Sequence, residues 1–297
     1  MTDRLFDRTL QTERQRRALA RGPVTFLLER IAGDLAERLD AVLRQFAIAV
    51  DLGTPGDAVR HALAVSPRVG CVIAMHPLAA MSARDELAVA GDEELLPFAE
   101  SSLDLVVSAL ALQSVNDLPG TLAQVRRALK PDGLFLAALL GGETLPELRQ
   151  AFAEAEAETT GGMSPRVAPF ADLRTLGMLL QRAGFALPVS DLDRITVRYA
   201  TAFSLLHDLR RMGATNTLVE RRRSPLRRAT LIRMAEIYAE RFADPDGRVR
   251  ATFDVVWLSG WAPHANQQQP LRPGSAKARL AYALGTKELP AGEKAGG

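Results

Sequence analysis

The stretch FAIAVDLGTPGDAV, residues 46–59, places an acidic residue and a tight glycine turn at the end of an apolar run. A carboxylate in such surroundings is costly unless something binds it, and glycines let a backbone bend sharply and approach a ligand with no β-carbon in the way. Asp51, Gly53 and Gly56 are therefore the candidate floor of a pocket for a nucleotide-like ligand; the competing reading has Asp51 capping the next helix. A loop of the type D-x-G-x-G-x-G would carry further glycines where this chain has Pro55 and Asp57. Proline fixes φ and removes an N–H donor, and Asp57 adds a side chain and a negative charge.

Other residues able to do chemistry are sparser. Asp92 and Glu93, ahead of the apolar LLPF, read either as ligand contacts or as a solvated turn, and Ser108 closes the apolar run LDLVVS. His61, His76, His207 and His264 show no metal-ligand spacing and read as surface or structural residues. Asn116-Asp117 ahead of Leu118-Pro119 reads as a helix N-cap. No Ser/His/Asp set and no metal-binding set emerges, and an iron site of two histidines and a carboxylate has no counterpart in recognisable spacing. The single cysteine, Cys71, excludes an internal disulfide and any multi-cysteine metal site; within VGCVIAM it reads as a small core residue in a reducing compartment.

The elements that must position these residues alternate. Two amphipathic helices, over 4–20 and 26–46, come first, the second with Leu27, Leu28, Ile31, Leu35, Leu39 and Leu43 on one side. Strands are expected at 47–52, 68–75, 87–90, 103–109 and 133–140, with helices at 58–64, 78–86 and 118–129 between them. Repeated βα units with continuous apolar strands call for a parallel sheet covered on both faces. Helices at 145–159 and 172–183 follow, then strands at 193–199 and 252–258. The expected organisation is a helical cover (1–45), an α/β domain (46–199 and 251–262), an Arg-rich helical insertion (200–250) and a tail (263–297).

With 297 residues, 47% of them hydrophobic, 24% charged and a formal net charge of +2, the chain has the composition of a globular protein with a sizeable core. Nothing in the total asks for nucleic acid or an anionic membrane. No run of about 18 apolar residues occurs and the first residues are too charged for a secretory leader, so the expected setting is the cytoplasm with no integral membrane segment. Arg210-Arg211, Arg221 to Arg223 and Arg227-Arg228 form either a solvated helix face or a docking surface for an acidic protein or phosphate.

Four pieces in fixed order, the Asp51-Leu-Gly turn, DEELLPF, LDLVVS and LKPDGLF, resemble the class I S-adenosylmethionine-dependent methyltransferases. The resemblance implies an α/β fold with a Rossmann-like seven-stranded sheet, an N-terminal helical cover and a helical insertion before the last strand. A narrower resemblance spans most of the chain: LFDRTLQTERQRRALAR, DEELLPF, LDLVVSALALQSVNDLP, LKPDGLFLAALLGGETLPELR, SPRVAPF, RRMGATN and IYAERFADPDGRVRATF look like the methyltransferase-like assembly factors of respiratory complex I. A looser relative is the malonyl-carrier-protein methyltransferase of biotin synthesis.

The resemblance assigns roles by position. Asp51, Gly53, Thr54 and Gly56 would cradle the amino acid part of S-adenosylmethionine, and Asp92 with Glu93 would meet the adenine amino group. Ser108 to Leu110 would lie below the cofactor. The carboxylate that takes the ribose hydroxyls is replaced by Met75, followed by His76, and Gln113-Ser114 stands where relatives often carry His-Trp. Loss of the bidentate ribose contact costs about 1.5–3 kcal/mol, roughly ten- to a hundredfold in affinity. The implied function is an S-adenosylmethionine-dependent methyltransferase-like protein acting on a protein substrate or client, a complex I subunit. Two alternatives stay open: a non-catalytic assembly protein with a degenerate cofactor pocket, and a protein arginine hydroxylase.

Overall fold

The chain opens with two helices, α1 (Arg8–Ala20) and α2 (Phe26–Asp40). Asp7 caps α1 by accepting from the Leu10 N–H at 3.0 Å. In α2, Leu27, Leu28, Ile31, Leu35 and Leu39 fall on one buried stripe, as helical spacing requires. The helix stops at Asp40, six residues before the expected end, and Leu43 is 89% exposed rather than part of that stripe. Residues 41–45 form the link that lets the chain turn from helix into strand. The computed structural model describes residues 4–78 and 87–267, together with 282, 285 and 286.

Seven strands follow: β1 (Phe46–Leu52), β2 (Val69–His76), β3 (Ala88–Ala90), β4 (Leu103–Ala109), β5 (Leu129–Leu140), β6 (Ala186–Tyr199) and β7 (Val249–Trp261). Their order across the sheet is β3-β2-β1-β4-β5-β7-β6. The first five pair in parallel, whereas β7 runs antiparallel to both β5 and β6, so the sheet is mixed. The helices α3 (Ala58–Val65), α4 (Leu118–Ala128), α5 (Pro146–Thr160) and α6 (Leu173–Arg182) connect these strands, and α7 (Ala202–Arg211) and α8 (Arg228–Phe242) lie between β6 and β7.

Side chains of the central strands alternate between two cores, the result of the two-residue period of a strand. Leu105, Val107, Leu134 and Leu136 face one cluster with α2, α3, α5, α7 and α8. Val106, Phe135 and Ala137 face the other with α4 and α6. The helix expected over 78–86 lies outside the described residues from position 79 onward.

β5, β6 and β7 each run at least three residues beyond their expected bounds, β7 by three at either end. β5 begins at Leu129 because a register shift between Leu103 and Leu105 absorbs the Lys-Pro-Asp-Gly turn, and Lys130 Nζ pairs with Asp104 at 2.9 Å. β6 begins at Ala186 rather than 193. As the edge strand it exposes nearly every second residue, so polar positions break its apolar signal without breaking its ladder. Cys71 is half-buried on β2. Among the described residues, no helix is long and apolar enough to cross a membrane.

Residues 1–263 form one compact unit that includes the cover and the inserted helices. Arginines of the insertion are mostly engaged: Arg233 contacts Glu158, Glu236 and Glu240, and Arg221 pairs with Asp7 at 3.1 Å. Exposed pairs of this kind add little stability each. In the second unit, 264–297, residues 264–267 form a turn closed by the Gln267 N–H donating to the His264 carbonyl at 3.1 Å.

Candidate functional site

The chain leaves β1 toward β2 on one side and β4 toward β5 on the other, so the carboxyl ends of β1 and β4 flank the switch point where open α/β sheets bind ligands. Asp51 sits there, in register with Ala74 of β2 and Val107 of β4. It is 4% exposed, and burial pushes its carboxyl pKa up to about 7 against the opposing hydrogen bond with Thr54. Its Oδ1 has no partner among the described residues. The capping alternative fails: Asp57, not Asp51, occupies the N-cap position of α3.

Four other expected residues, Thr54, Ser108, Gly53 and Gly56, shape the turn beside this carboxylate. The Ala109 N–H donates to Thr54 Oγ1 at 3.0 Å, and the Ser108 hydroxyl donates to the Leu52 carbonyl at 2.7 Å. These bonds lock the turn after β1 to the end of β4, and they commit the Ser108 proton to the backbone. Gly53, at φ +70°, donates its N–H to the Met75 carbonyl at 2.8 Å. A β-carbon at Gly53 would lie 2.3 Å from Glu93 Oε1, so glycine is what lets that carboxylate lie on the turn. Gly56, at φ +104°, completes the bend.

Met75 is 1% exposed and packs in the core cluster of α4 and α6. Its neighbour His76 is 5% exposed; Nδ1 accepts from the Leu78 N–H at 3.0 Å, which places the ring proton on Nε2, itself without a partner. Burial, helped by the nearby Arg8 cation, lowers the His76 pKa to about 4, so the ring is neutral.

The acidic turn is solvated only in part, with Asp92 exposed and Glu93 buried. Glu93 is 3% exposed and pairs with Arg8 of α1, whose guanidinium also reaches Asp92 at 3.2 Å. Burial raises the Glu93 pKa, and Arg8 opposes it. The same α1 segment is clasped twice more: Asn116 Oδ1 accepts from the Phe6 N–H at 2.8 Å, and Gln11 Nε2 donates to Ser114 Oγ at 2.5 Å. Asp117 is the N-cap of α4 as expected, accepting from the Gly120 N–H at 2.9 Å, whereas Asn116 instead holds the N-terminal segment. Sequence reasoning missed Arg8 and Gln11; nothing local in α1 marks them, since their partners lie 85 and 103 positions away.

Beside the switch point opens a cavity of about 680 Å³ between α1, α2, α7 and the ends of β4 and β5. Its walls include Pro55, His76, Leu110 and Ser114 at the sheet, Arg14 of α1 and Leu209 of α7, but not Asp51, Gly53 or Glu93. Among the described residues no cluster of three or more His, Cys, Asp or Glu is placed to hold a metal ion.

Residues 50–137 match the family described as a methyltransferase domain. The YcgJ protein from Bacillus subtilis superposes with a TM-score of 0.52 at 16% identity, covering 78% of this chain and 98% of that one. Sheet order, reversed seventh strand and the carboxylate at the end of β1 thus define a class I methyltransferase fold. Human arginine-hydroxylase NDUFAF5, mitochondrial, is 38% identical over 281 residues, covering 92% of this chain and 81% of that protein. The chain belongs to the arginine-hydroxylase NDUFAF5 family. A malonyl-[acyl-carrier protein] O-methyltransferase from Gallionella capsiferriformans is 39% identical over a shorter span, 60% of this chain.

Proposed function

We propose that this chain acts in the assembly of respiratory complex I as a methyltransferase-fold protein that takes S-adenosylmethionine at the end of β1 and acts on a protein client. The observation that carries the reading is Asp51 Oδ1, a buried carboxylate oxygen with no partner among the described residues, at the turn shaped by Gly53 and Gly56. Such an atom costs folding free energy unless a ligand donor satisfies it, and the cofactor's amino group is a donor of the right charge. The fit is partial. Asp51 and Thr54 suit the amino acid end, but Met75 offers the ribose nothing, and Glu93 is engaged by Arg8. When bound, the cofactor supplies an electrophilic methyl group; the chain supplies orientation and exclusion of water.

Isothermal titration of the full chain with S-adenosylmethionine tests this. Micromolar binding is expected, with Asp51→Ala weakening it at least about tenfold, the worth of one charge-assisted bond. Affinity that survives the substitution removes the pocket from β1. Silence at millimolar cofactor favours the second reading, a non-catalytic assembly protein, which the Arg8–Glu93 clasp over the Gly53 turn supports. The relatives' name supports hydroxylation of an arginine on the client, and mass spectrometry of complex I subunits with and without the chain separates one added oxygen from one added methylene.

A further inference from the structure

The cavity beside the switch point has a composition that the cofactor reading does not use. Its volume of about 680 Å³ lies within the roughly 300–1,000 Å³ of small-molecule sites. Among the described residues lining it there is no Asp or Glu, yet Arg14, Arg166, Arg210 and Arg211 all face it.

These cations are not equivalent. Arg166 is already compensated, its Nε donating at 2.9 Å to the buried Glu156, and Arg211 spends its Nε on the Gly22 carbonyl at 2.8 Å. Arg14 is half-buried, donates to the Asn216 carbonyl, and meets no carboxylate at ion-pair distance among the described residues. Desolvation and the neighbouring Arg221 lower its pKa, against the weaker opposing influence of Asp7, which itself pairs with Arg221. His76 also lines the wall, but its unpartnered Nε2 is buried beneath the cavity surface and offers no exposed donor there. Much of the remaining wall is apolar, with Leu148, Phe152 and Phe253 among its residues.

We infer that this cavity binds an apolar molecule with a single anionic head, of the class of medium- and long-chain carboxylates, with Arg14 as its counter-charge. Among the described lining residues a guanidinium group would meet only cations and neutral groups, so this wall favours an anion over an arginine side chain. The inference stands on the lining alone and is independent of cofactor binding at Asp51.

Calorimetric titration of the full chain with dodecanoate, its methyl ester and dodecylamine reads it out. Dodecanoate is expected to bind at least about tenfold more tightly than the ester, in which the charge is gone and the chain is kept. Arg14→Gln should erase that preference while the ester still binds. Because Arg14 also ties down the Asn216 carbonyl, Arg14→Lys is the companion variant: it keeps the charge and should keep a preference for the acid. Equal affinity for acid and ester, preference for the amine, no binding of any of the three, or an acid preference that is lost in Arg14→Lys or persists in Arg14→Gln overturns the inference.

Discussion

Arg8→Met is expected to lower the unfolding free energy by about 3–5 kcal/mol at pH 8, because it strands the Glu93 carboxylate. That side chain is 4% exposed and its guanidinium partner 18%, so neither can recover its hydration by a small movement. Removing one member of such a pair is far costlier than removing both. Arg8→Met combined with Glu93→Gln should therefore recover most of the loss, the amide being neutral and of the same shape. The loss should also shrink toward pH 5. Without Arg8 the buried carboxyl is held further above its ordinary range, so it takes up a proton as pH falls and the stranded charge disappears. Urea unfolding at the two pH values, followed by far-UV circular dichroism, gives all of these differences. A single variant that unfolds within about 0.5 kcal/mol of the parent would show that α1 is not anchored through this pair.

Asp51→Asn is expected to tilt the pH dependence of stability by about 4 kcal/mol. The folded-state pKa of about 7 lies above the ordinary 3.8, so between those values the folded chain holds a proton that the unfolded chain has lost. The stability tied to that proton is complete below about pH 4 and gone above about pH 7. Relative to the parent, the asparagine variant should gain steadily as pH rises through this window. His76 works in the opposite sense: its folded pKa of about 4 is below the ordinary 6.5, so the stability tied to the neutral ring is present above 6.5 and lost as pH falls toward 4, a swing of about 3 kcal/mol. The two contributions nearly cancel between pH 4 and 6.5. His76→Asn should accordingly gain on the parent as pH falls, the mirror image of Asp51→Asn. Difference curves from urea titrations at half-unit steps measure both, and parallel curves for Asp51→Asn and parent would mean that this carboxyl is solvated.

Much of the architecture was legible because local signals and tertiary demand coincide. The strand at Leu103–Ala109 is mostly apolar and buried at every position but Asp104, the mark of a strand covered on both faces. Asp117 ahead of Leu118-Pro119 announces a helix start through a short-range bond. Where the two diverged, the reading fell short. Leu43 continues the helical stripe of α2, yet the chain has to leave the helix to enter β1 and the side chain ends 89% exposed. β6 is an edge strand, whose exposed positions include Asp191, Arg194 and Arg198 and blur its pattern.

The sequence by itself determined the βα order, the acidic residue and glycine bend at the end of β1, and the absence of any multi-cysteine site. These follow from periodicity, backbone freedom and composition, which act over a few neighbouring residues. Tertiary structure alone decided that Asp51 keeps an oxygen unpartnered among the described residues, that Arg8 crosses 85 positions to neutralise Glu93, and that the described residues lining the cavity include no carboxylate. Desolvation and charge pairing depend on which distant side chains come to share a space, and no local pattern along the chain encodes that.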